Sequence, residues 1–363
     1  MAKRIIIAGG GTGGHIFPAI AIANAFKQQD VDHQILFVGA KGKMEMEKVP
    51  QAGYDIKGLD IAGFNRSSLI KNIGLPFKLV KSFLQVRSII SEFKPDAVVG
   101  VGGYSSFPVL RFAQAKGVPT FIHESNSFAG KSNILLGKKV TKAFVAIDGM
   151  EKFFPADRLV ITGNPVRPAI VKVEKVSREE ALRFFGLAEN KLTVLAVGGS
   201  LGARSINEAL QSRLTDFEKN DLQLIWQTGK TDMERWKQHA AGKSGVWVND
   251  FITQMELAYA AADIVVSRSG AMAVAELCVV KKPVVFVPYP FAAEDHQTVN
   301  AKKLVDKNAA LMVKDSEAKD KMVDTLLALA VDKNRQEILK ENIGKLAVLD
   351  ADRRIADEIL KSI

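Results

Sequence analysis

The chain has 363 residues, more than a single hydrophobic core usually holds, so two domains are expected. Its composition, 47% apolar and 25% charged, excludes a disordered chain. No apolar run approaches the ~18 residues that a membrane-spanning helix needs, and a single cysteine excludes a disulfide framework. The net charge of +10 lies almost entirely in residues 1–164, with 21 Lys and Arg against 12 Asp and Glu, which indicates an anionic partner for that half.

The first half alternates short apolar runs with helical patterns, which predicts a mainly parallel sheet covered by helices. The apolar runs are residues 5–8, 35–38, 97–101, 120–123 and 143–146. The helical patterns are 18–28, where Pro18 is expected to begin a helix, and 79–93. No secretory signal is expected, because Met1–Arg4 leads directly into the first run.

A proline-containing stretch at 163–168 predicts a linker, after which the alternation restarts. The second set of apolar runs is 192–197, 222–226, 246–248, 264–266 and 284–287. Ser177 with Glu180 predicts a capped helix to about Phe185, and residues 316–363 predict two or three amphipathic helices. The predicted fold class is α/β, with two Rossmann-like halves whose ligands bind at the carboxyl ends of the strands.

The loop at 9–15 directly follows the first strand, and its glycines allow a backbone to approach a ligand closely. Its spacing matches the dinucleotide-binding G-x-G-x-x-G pattern. The second strand, however, ends without an acid to hold a ribose hydroxyl, which argues against nicotinamide or flavin. His15 is interpreted either as a general base or as a residue that caps or packs under the loop.

Two further glycine loops, at 100–106 and 198–204, also follow strands. Each suits phosphate binding through backbone N–H groups, and for the first a simple tight turn explains the glycines equally well. Residues 123–126 end another strand. Glu124 there is interpreted as a base or ligand-orienting group, or as a buried structural carboxylate.

The stretch 267–276 joins a strand to a helix N-terminus, which favours an anion. Glu276 is expected about one and a half turns into that helix, where its carboxylate accepts hydrogen bonds from a diol. An anion beside a diol outlines a ribose diphosphate. Residues 295–297 are rich in donors and acceptors suited to sugar hydroxyls, and no metal site is expected, because the spaced His and Cys partners are missing.

The segment 66–90 interleaves basic and apolar side chains. Contact with an anionic membrane and packing of an ordinary amphipathic helix both explain it. Packing is favoured for 79–93. Membrane contact is favoured for 69–77, where Gly74 and Pro76 are expected to interrupt the helix; the predicted contact residues are Leu69, Ile70, Lys71, Ile73, Leu75, Phe77 and Lys78.

Taken together, the motifs resemble the MurG family, bacterial N-acetylglucosaminyltransferases of peptidoglycan synthesis with the two-domain GT-B fold. The resemblance spans nearly the whole chain and rests on GGGTGGHIFPA at 9–19, GVGGYSS at 100–106, HESN at 123–126, GNPVR at 163–167, GGSLGAR at 198–204, RSGAMAVAE at 268–276 and EDHQTVNA at 294–301. Ser125 stands where the family often carries glutamine.

This resemblance implies inverting transfer of N-acetylglucosamine from UDP-N-acetylglucosamine to the undecaprenyl-pyrophosphoryl acceptor lipid I, which forms lipid II. It implies donor contacts at Thr12, Gly13, Gly14, Asn126, Arg167, Ser200, Ile252, Ala271, Met272, Ala273, Val274, Ala275, Glu276 and Gln297. Acceptor contacts are expected at Gly102, Gly103, Tyr104 and Ser105, with His15 as the leading base and Glu124 as a second catalytic candidate.

The expected domains are an acceptor and membrane domain at 1–164, a donor domain at 165–346, and a C-terminal helix at 347–363 that packs back on the first domain. The expected location is the cytoplasmic face of the bacterial membrane, with no cofactor required. The alternatives are a GT-B transferase acting on another lipid such as diacylglycerol, and a non-catalytic binder of sugar nucleotides. Nucleic-acid binding is not expected, because no aromatic platform accompanies the basic residues.

Overall fold

The computed structural model describes residues 1–63, 74–199 and 201–363. These divide into two compact units: unit 1 comprises Met1–Arg167 with Asp350–Ile363, and unit 2 comprises Pro168–Leu349. Each unit contains one parallel sheet covered by helices, so the predicted fold class, two Rossmann-like α/β halves, is confirmed.

Unit 1 has a seven-stranded parallel sheet in the order β3-β2-β1-β4-β5-β6-β7. Its strands are β1 (Arg4–Ala8), β2 (Gln34–Ala40), β3 (Asp55–Leu59), β4 (Ala97–Gly100), β5 (Thr120–Glu124), β6 (Lys142–Val145) and β7 (Leu159–Ile161). Its helices are α1 (Gly13–Gln29), α2 (Glu45–Gln51), α3 (Leu75–Phe93), α4 (Ser106–Ala115), α5 (Lys131–Gly137) and, at the C-terminus, α16 (Ala351–Leu360).

The central strand of unit 1 explains why its sequence is apolar at every position. Ile5 of β1 lies opposite Ile35 of β2 and Ala97 of β4, so both edges of the strand are paired. Ile5 and Ile7 face a core that includes α1 and α16, whereas Ile6 and Ala8 belong to a second core with α3 and α4. A strand that is buried on both faces needs no polar alternation.

Unit 2 has a six-stranded parallel sheet in the order β10-β9-β8-β11-β12-β13. Its strands are β8 (Leu192–Val197), β9 (Leu222–Gln227), β10 (Val246–Asn249), β11 (Ile264–Ser267), β12 (Val284–Phe286) and β13 (Leu311–Met312). Its helices are α6 (Pro168–Val171), α7 (Arg178–Phe184), α8 (Arg204–Ser212), α9 (Leu214–Lys219), α10 (Met233–Ala240), α11 (Met255–Ala261), α12 (Ala271–Val280), α13 (His296–Val305), α14 (Ala318–Val331) and α15 (Lys333–Gly344).

Two predictions about helices are confirmed. The Ser177 side chain caps α7 by accepting a hydrogen bond from the Glu180 backbone N–H, and the C-terminal region forms three helices, α14, α15 and α16. The last of these packs on α1, where the Gln29 side chain donates to Asp357 over 2.7 Å. None of the helices in the described ranges is long and apolar enough to span a bilayer.

Two predicted helix starts, at 18 and at 79, are wrong, and in both cases a proline lies inside the observed helix. Helix α1 begins at Gly13, and Pro18 lies inside it, where only the Gly14 carbonyl loses its N–H partner. Helix α3 begins at Leu75, with Gly74 as its N-cap and Pro76 at its second position. A proline in the first turn begins a helix without breaking any bond, so Pro76 does not interrupt α3; the residues before Gly74 lie outside the described ranges.

Candidate functional site

In unit 1 the glycine loop after β1 packs directly on the loop after β4. The Gly9 N–H donates to the Val38 carbonyl over 3.1 Å, and the Gly10 N–H donates to the Gly102 carbonyl over 3.3 Å. A Cβ at Gly103, whose φ is +84°, would lie 2.5 Å from the Gly10 carbonyl oxygen. Only glycine allows this approach, so the two loops form one surface at the carboxyl ends of β1 and β4.

His15 lies in the first turn of α1, beside this surface. A Cβ at Gly102 would lie 2.6 Å from Cε1 of the imidazole, so the ring rests against the second loop. Its Nδ1 is buried and has hydrogen-bond geometry with no described residue. Burial lowers the pKa of His15, against smaller opposing effects of Glu124, the Val101 backbone and Glu45. A neutral imidazole at a loop surface is suited to accept a proton.

Glu124 ends β5 and is 4% exposed. One carboxylate oxygen accepts the backbone and side-chain N–H groups of Asn126 over 3.1 and 3.2 Å. The other accepts the Gly130 N–H over 3.0 Å and the Asn133 amide over 2.9 Å. Four donors therefore surround the carboxylate, an arrangement that orients Asn126 and the loop that follows.

His123, one residue earlier in β5, is completely buried. Neither ring nitrogen has hydrogen-bond geometry with a described residue. Burial lowers its pKa to about 4; the Gly163 backbone raises it, and the nearby His15 lowers it further. The His123 imidazole is therefore neutral at physiological pH.

The predicted donor residues of unit 1 lie at the start of α1, after β5 (Asn126) and at Arg167, the last residue before unit 2. Thr12 is the N-cap of α1 and makes no side-chain capping bond, and Gly13 and Gly14 form the first turn. The Arg167 guanidinium lies 4.5 Å above the centre of the Phe17 ring. A Cβ at Gly13 would lie 3.0 Å from that same ring. Phe17, which the sequence did not single out, thus lies between the first turn and Arg167.

The predicted acceptor residues lie together in the second loop. Gly102 and Gly103 both have positive φ, and Ser105, at 2% exposure, is the N-cap of α4. The pKa of Tyr104 is raised, first by burial and then by the charge of Glu45. Sequence reasoning also missed Glu45, the first residue of α2. An acid five residues after the end of a strand matches no ribose-binding pattern, so nothing drew attention to it.

In unit 2 the stretch 267–276 has the predicted local structure. Strand β11 ends at Ser267, Gly270 is the N-cap of α12, and Glu276 is the sixth residue of that helix. Its carboxylate is 7% exposed and accepts the Tyr259 hydroxyl over 3.1 Å. Tyr259 lies on α11, which the sequence pattern did not identify as part of this site.

Side-chain bonds connect this stretch to the first turns of α13. The Ser269 hydroxyl donates to the Gln297 carbonyl over 2.8 Å, and the Asn300 amide donates to the Ser269 carbonyl over 3.0 Å. The Gln297 side-chain oxygen accepts the Tyr289 N–H over 3.0 Å. These bonds bring Gln297 beside the N-terminus of α12. Ile252, another predicted donor residue, is 3% exposed, so its side chain belongs to the core.

The glycine loop after β8 is braced by Gln227, at the end of β9. Its amide donates to the Gly199 carbonyl over 2.9 Å and to the Asp250 carbonyl over 2.7 Å, and its oxygen accepts the Gly199 N–H over 3.2 Å. Gln227 is 3% exposed. Arg268, the residue before Ser269, donates to the Val287 and Pro288 carbonyls and pairs with Asp315, which identifies it as a support for the loops.

Some predicted site residues lie outside the described ranges. They are Ser200 of the donor set and Leu69, Ile70, Lys71 and Ile73 of the membrane set. The other membrane residues are at the start of α3, where Phe77 is 79% exposed and Lys78 is also exposed, whereas Leu75 is half-buried. Further along α3, Val86 and Ile90 pack into the core as predicted for 79–93, but Val80 and Leu84 are each 63% exposed.

Models of known protein families match the two halves of the chain. Residues 5–145 match the glycosyltransferase family 28 N-terminal domain, and residues 193–355 match the family 28 C-terminal domain. The solved structure of Acinetobacter baumannii MurG is 30% identical, with a TM-score of 0.75 over 99% of both chains. The fold and its glycine loops thus define a glycosyltransferase of the two-domain class.

Relatives at higher identity define the family more narrowly. The Parabacteroides distasonis UDP-N-acetylglucosamine–N-acetylmuramyl-(pentapeptide) pyrophosphoryl-undecaprenol N-acetylglucosamine transferase is 53% identical over 99% of this chain and 98% of its own length. The protein of the same name from Bacteroides thetaiotaomicron is also 53% identical, over 99% of this chain and 97% of its own length. The chain belongs to this transferase family, MurG.

Proposed function

We propose that the chain transfers N-acetylglucosamine from UDP-N-acetylglucosamine to the 4-hydroxyl of the muramoyl sugar of undecaprenyl-pyrophosphoryl-N-acetylmuramoyl-pentapeptide, with inversion. The observation that carries the proposal is 53% identity, over almost the whole length, to transferases named for this reaction. The glycine loops after β1 and β8, and His15 beside the first of them, support the proposal, because a transfer of this kind needs anion-binding N–H groups and a base.

The donor contacts are proposed for unit 2 and for the start of α1. The loop after β8, including Ser200, and the N-terminus of α12 would stabilise the diphosphate that departs as UDP, because backbone N–H groups and the helix dipole favour an anion. The Glu276 carboxylate would accept the ribose hydroxyls, and Gln297 would contact the sugar. The proposed donor set also includes Ile252 in unit 2 and, in unit 1, Thr12, Gly13, Gly14, Asn126 and Arg167.

The acceptor step is assigned to unit 1. His15 takes the proton from the attacking hydroxyl, which its neutral imidazole can do at physiological pH. The loop at 102–105 would hold the acceptor's pyrophosphate through its N–H groups. Glu124, surrounded by four donors, would position Asn126 and the loop that follows.

Membrane contact is proposed for the start of α3. Phe77, Val80 and Leu84 are exposed at helical spacing, and Lys78 and Lys81 lie beside them. An apolar strip flanked by lysines suits an anionic bilayer surface, where the lipid tail of the acceptor resides. The proposed location is the cytoplasmic face of the membrane, and no cofactor or metal is proposed.

The deciding experiment measures UDP release with lipid I, diacylglycerol or no acceptor, each with several UDP-sugars. The proposal expects release only when UDP-N-acetylglucosamine and lipid I are both supplied, and the same rate after treatment with EDTA. Release with diacylglycerol but not with lipid I would indicate a different lipid acceptor. Tight UDP binding without turnover on any acceptor would indicate a non-catalytic binder.

A further inference from the structure

Glu45 is a buried carboxylate that none of the assigned roles uses. It is 1% exposed and forms no ion pair with a Lys, Arg or His of the described chain. Its two oxygens accept the Gly11 N–H over 2.8 Å and the Ala40 N–H over 3.0 Å. Burying a carboxylate without a countercharge is costly, and such groups concentrate at functional sites.

The backbone around Glu45 is built to admit this side chain. A Cβ at Gly10 would lie 2.5 Å from a Glu45 carboxylate oxygen, and a Cβ at Gly39 would lie 2.5 Å from its Cγ. Neither position therefore tolerates a larger residue while Glu45 is in place. The carboxylate occupies the space between the end of β2 and the glycine loop after β1.

A continuous series of contacts leads from Glu45 to His15. Glu45 holds Gly10 and Gly11, and the Gly10 N–H donates to the Gly102 carbonyl. The Cα of Gly102 in turn supports the His15 ring, since a Cβ there would lie 2.6 Å from Cε1. A movement of the Glu45 carboxylate would displace Gly10, and through it the surface on which the imidazole rests.

We propose that Glu45 is a positioning residue for the transfer reaction: its immobilised carboxylate fixes the glycine loops that seat His15 and directs a negative charge towards the imidazole. The charge stabilises the imidazolium that forms when His15 takes the acceptor's proton. The other groups that act on His15 are Glu124 and His123 of β5 and the Val101 backbone. This inference rests on the proposed function, in which His15 is the base.

The test compares Glu45→Gln with Glu47→Gln in the lipid I assay. Glu47 lies on the same helix, and its side chain is 66% exposed, so its variant is a matched control with native kinetics expected. Glutamine keeps the volume of Glu45 but presents an NH₂ group to one of the two backbone N–H donors and removes the charge. We expect kcat to fall roughly tenfold or more with less than about a twofold change in the KM for UDP-N-acetylglucosamine.

The pH profile separates positioning from a purely structural role. His15 acts in its neutral form, so kcat/KM rises with pH through its pKa. Glu45 and Glu124 raise that pKa, and removing the Glu45 charge lowers it. The acidic limb of the Glu45→Gln profile, the part of the curve where kcat/KM rises with pH, is therefore expected to move to lower pH. In Glu45→Asp, which keeps the charge on a shorter side chain, kcat should fall while the limb stays in place.

Two outcomes would overturn the inference while wild-type transfer is intact. One is a Glu45→Gln protein with native kcat and an unmoved acidic limb. The other is a Glu45→Gln protein with a lower melting temperature and an unmoved limb, which would make Glu45 a stability residue. Should Glu45→Gln not fold, native kcat in Glu45→Asp decides against positioning. Failure of the wild-type chain to transfer at all would instead contradict the proposed function.

Discussion

The two units brace equivalent glycine loops with different chemistry. In unit 1 the loop after β1 is held by the Glu45 carboxylate, which accepts two backbone N–H groups. In unit 2 the loop after β8 is held by the Gln227 carboxamide, which both donates to and accepts from Gly199. The first brace introduces a negative charge behind its loop, and the second is neutral.

This difference corresponds to the two tasks of a glycosyl transfer. A negative charge behind the loop after β1 favours a protonated imidazole, whereas a neutral brace leaves the N–H groups and the helix dipole of unit 2 free to attract a phosphate. Unit 1 also contains the half-buried His15 and the completely buried His123, and burial lowers the pKa of each. This contrast agrees with the proposed roles, in which unit 1 takes the proton and unit 2 binds the leaving group.

The largest effect is expected from removing the base in unit 1. His15→Ala should lower kcat in the lipid I assay by roughly 10²–10⁴-fold, because proton abstraction from the attacking hydroxyl is lost. UDP affinity, measured by calorimetry, should be unchanged, since unit 2 provides most of the proposed nucleotide contacts. Near-normal turnover of His15→Ala would remove His15 as the base and with it the contrast between the units.

The pH dependence of stability should distinguish the two units. His123 has a pKa of about 4 when folded against about 6.5 when unfolded, so the unfolded chain binds more protons. The stability that its neutral form provides is complete above pH 6.5 and is lost as the pH falls towards 4, an effect of about 3 kcal/mol.

Urea unfolding between pH 7 and pH 4.5 measures this effect. The three tryptophans, at positions 226, 236 and 247, all belong to unit 2, so their fluorescence reports that unit, whereas circular dichroism reports both. The circular-dichroism transition should lose more stability at low pH in the wild type than in His123→Phe. An equal loss of unfolding free energy between pH 7 and pH 4.5 in the wild type and in His123→Phe would contradict the prediction.

Exchanging the neutral brace for a charged one should weaken nucleotide binding in unit 2. Gln227→Glu loses both donors to the Gly199 and Asp250 carbonyls and places a charge behind the loop. We expect the Kd for UDP to rise roughly 30–100-fold, corresponding to about 2–3 kcal/mol. Gln238→Glu, at an exposed position of α10, is the matched control and should bind UDP normally. An unchanged Kd for UDP in Gln227→Glu would show that the charge of the side chain that braces this loop does not affect nucleotide binding.

The smallest effect is expected for the contact between Phe17 and Arg167. Phe17→Leu keeps an apolar side chain but removes the ring face, a loss of roughly 0.5–1 kcal/mol. The KM for UDP-N-acetylglucosamine should rise about two- to fivefold at nearly constant kcat, and Phe17→Tyr should restore it. Phe112→Leu, which removes the ring face below Lys116, is the control. A native KM for UDP-N-acetylglucosamine in Phe17→Leu would show that Phe17 does not contribute to donor binding.

The strands that sequence reasoning missed share one position in the fold. Strands β3, β7 and β13 each lie at the edge of a sheet. An edge strand is partly exposed and needs fewer apolar residues, as in β3, where Asp55, Lys57 and Gly58 interrupt the pattern. The predicted strands, by contrast, were almost all internal, where burial on both faces requires continuous apolar runs.

The sequence by itself determined the α/β class, the two halves, the three glycine loops and the strand that leads into α12. These features are local: they depend on apolar periodicity, on the steric freedom of glycine and on helix capping. The order of the motifs also sufficed to recognise the family. The separate roles of the site residues, from His15 to Glu276, stay predictions for the experiments above.

Only the tertiary structure decided which side chains support the loops. Glu45 and Gln227 lie 34 and 28 residues in sequence from Gly11 and Gly199, the glycines that they brace. A buried polar group must find its partners wherever the fold places them, and hydrogen bonds between distant segments leave no periodic signal in a sequence. For that reason the contrast between a charged and a neutral brace became visible only in three dimensions.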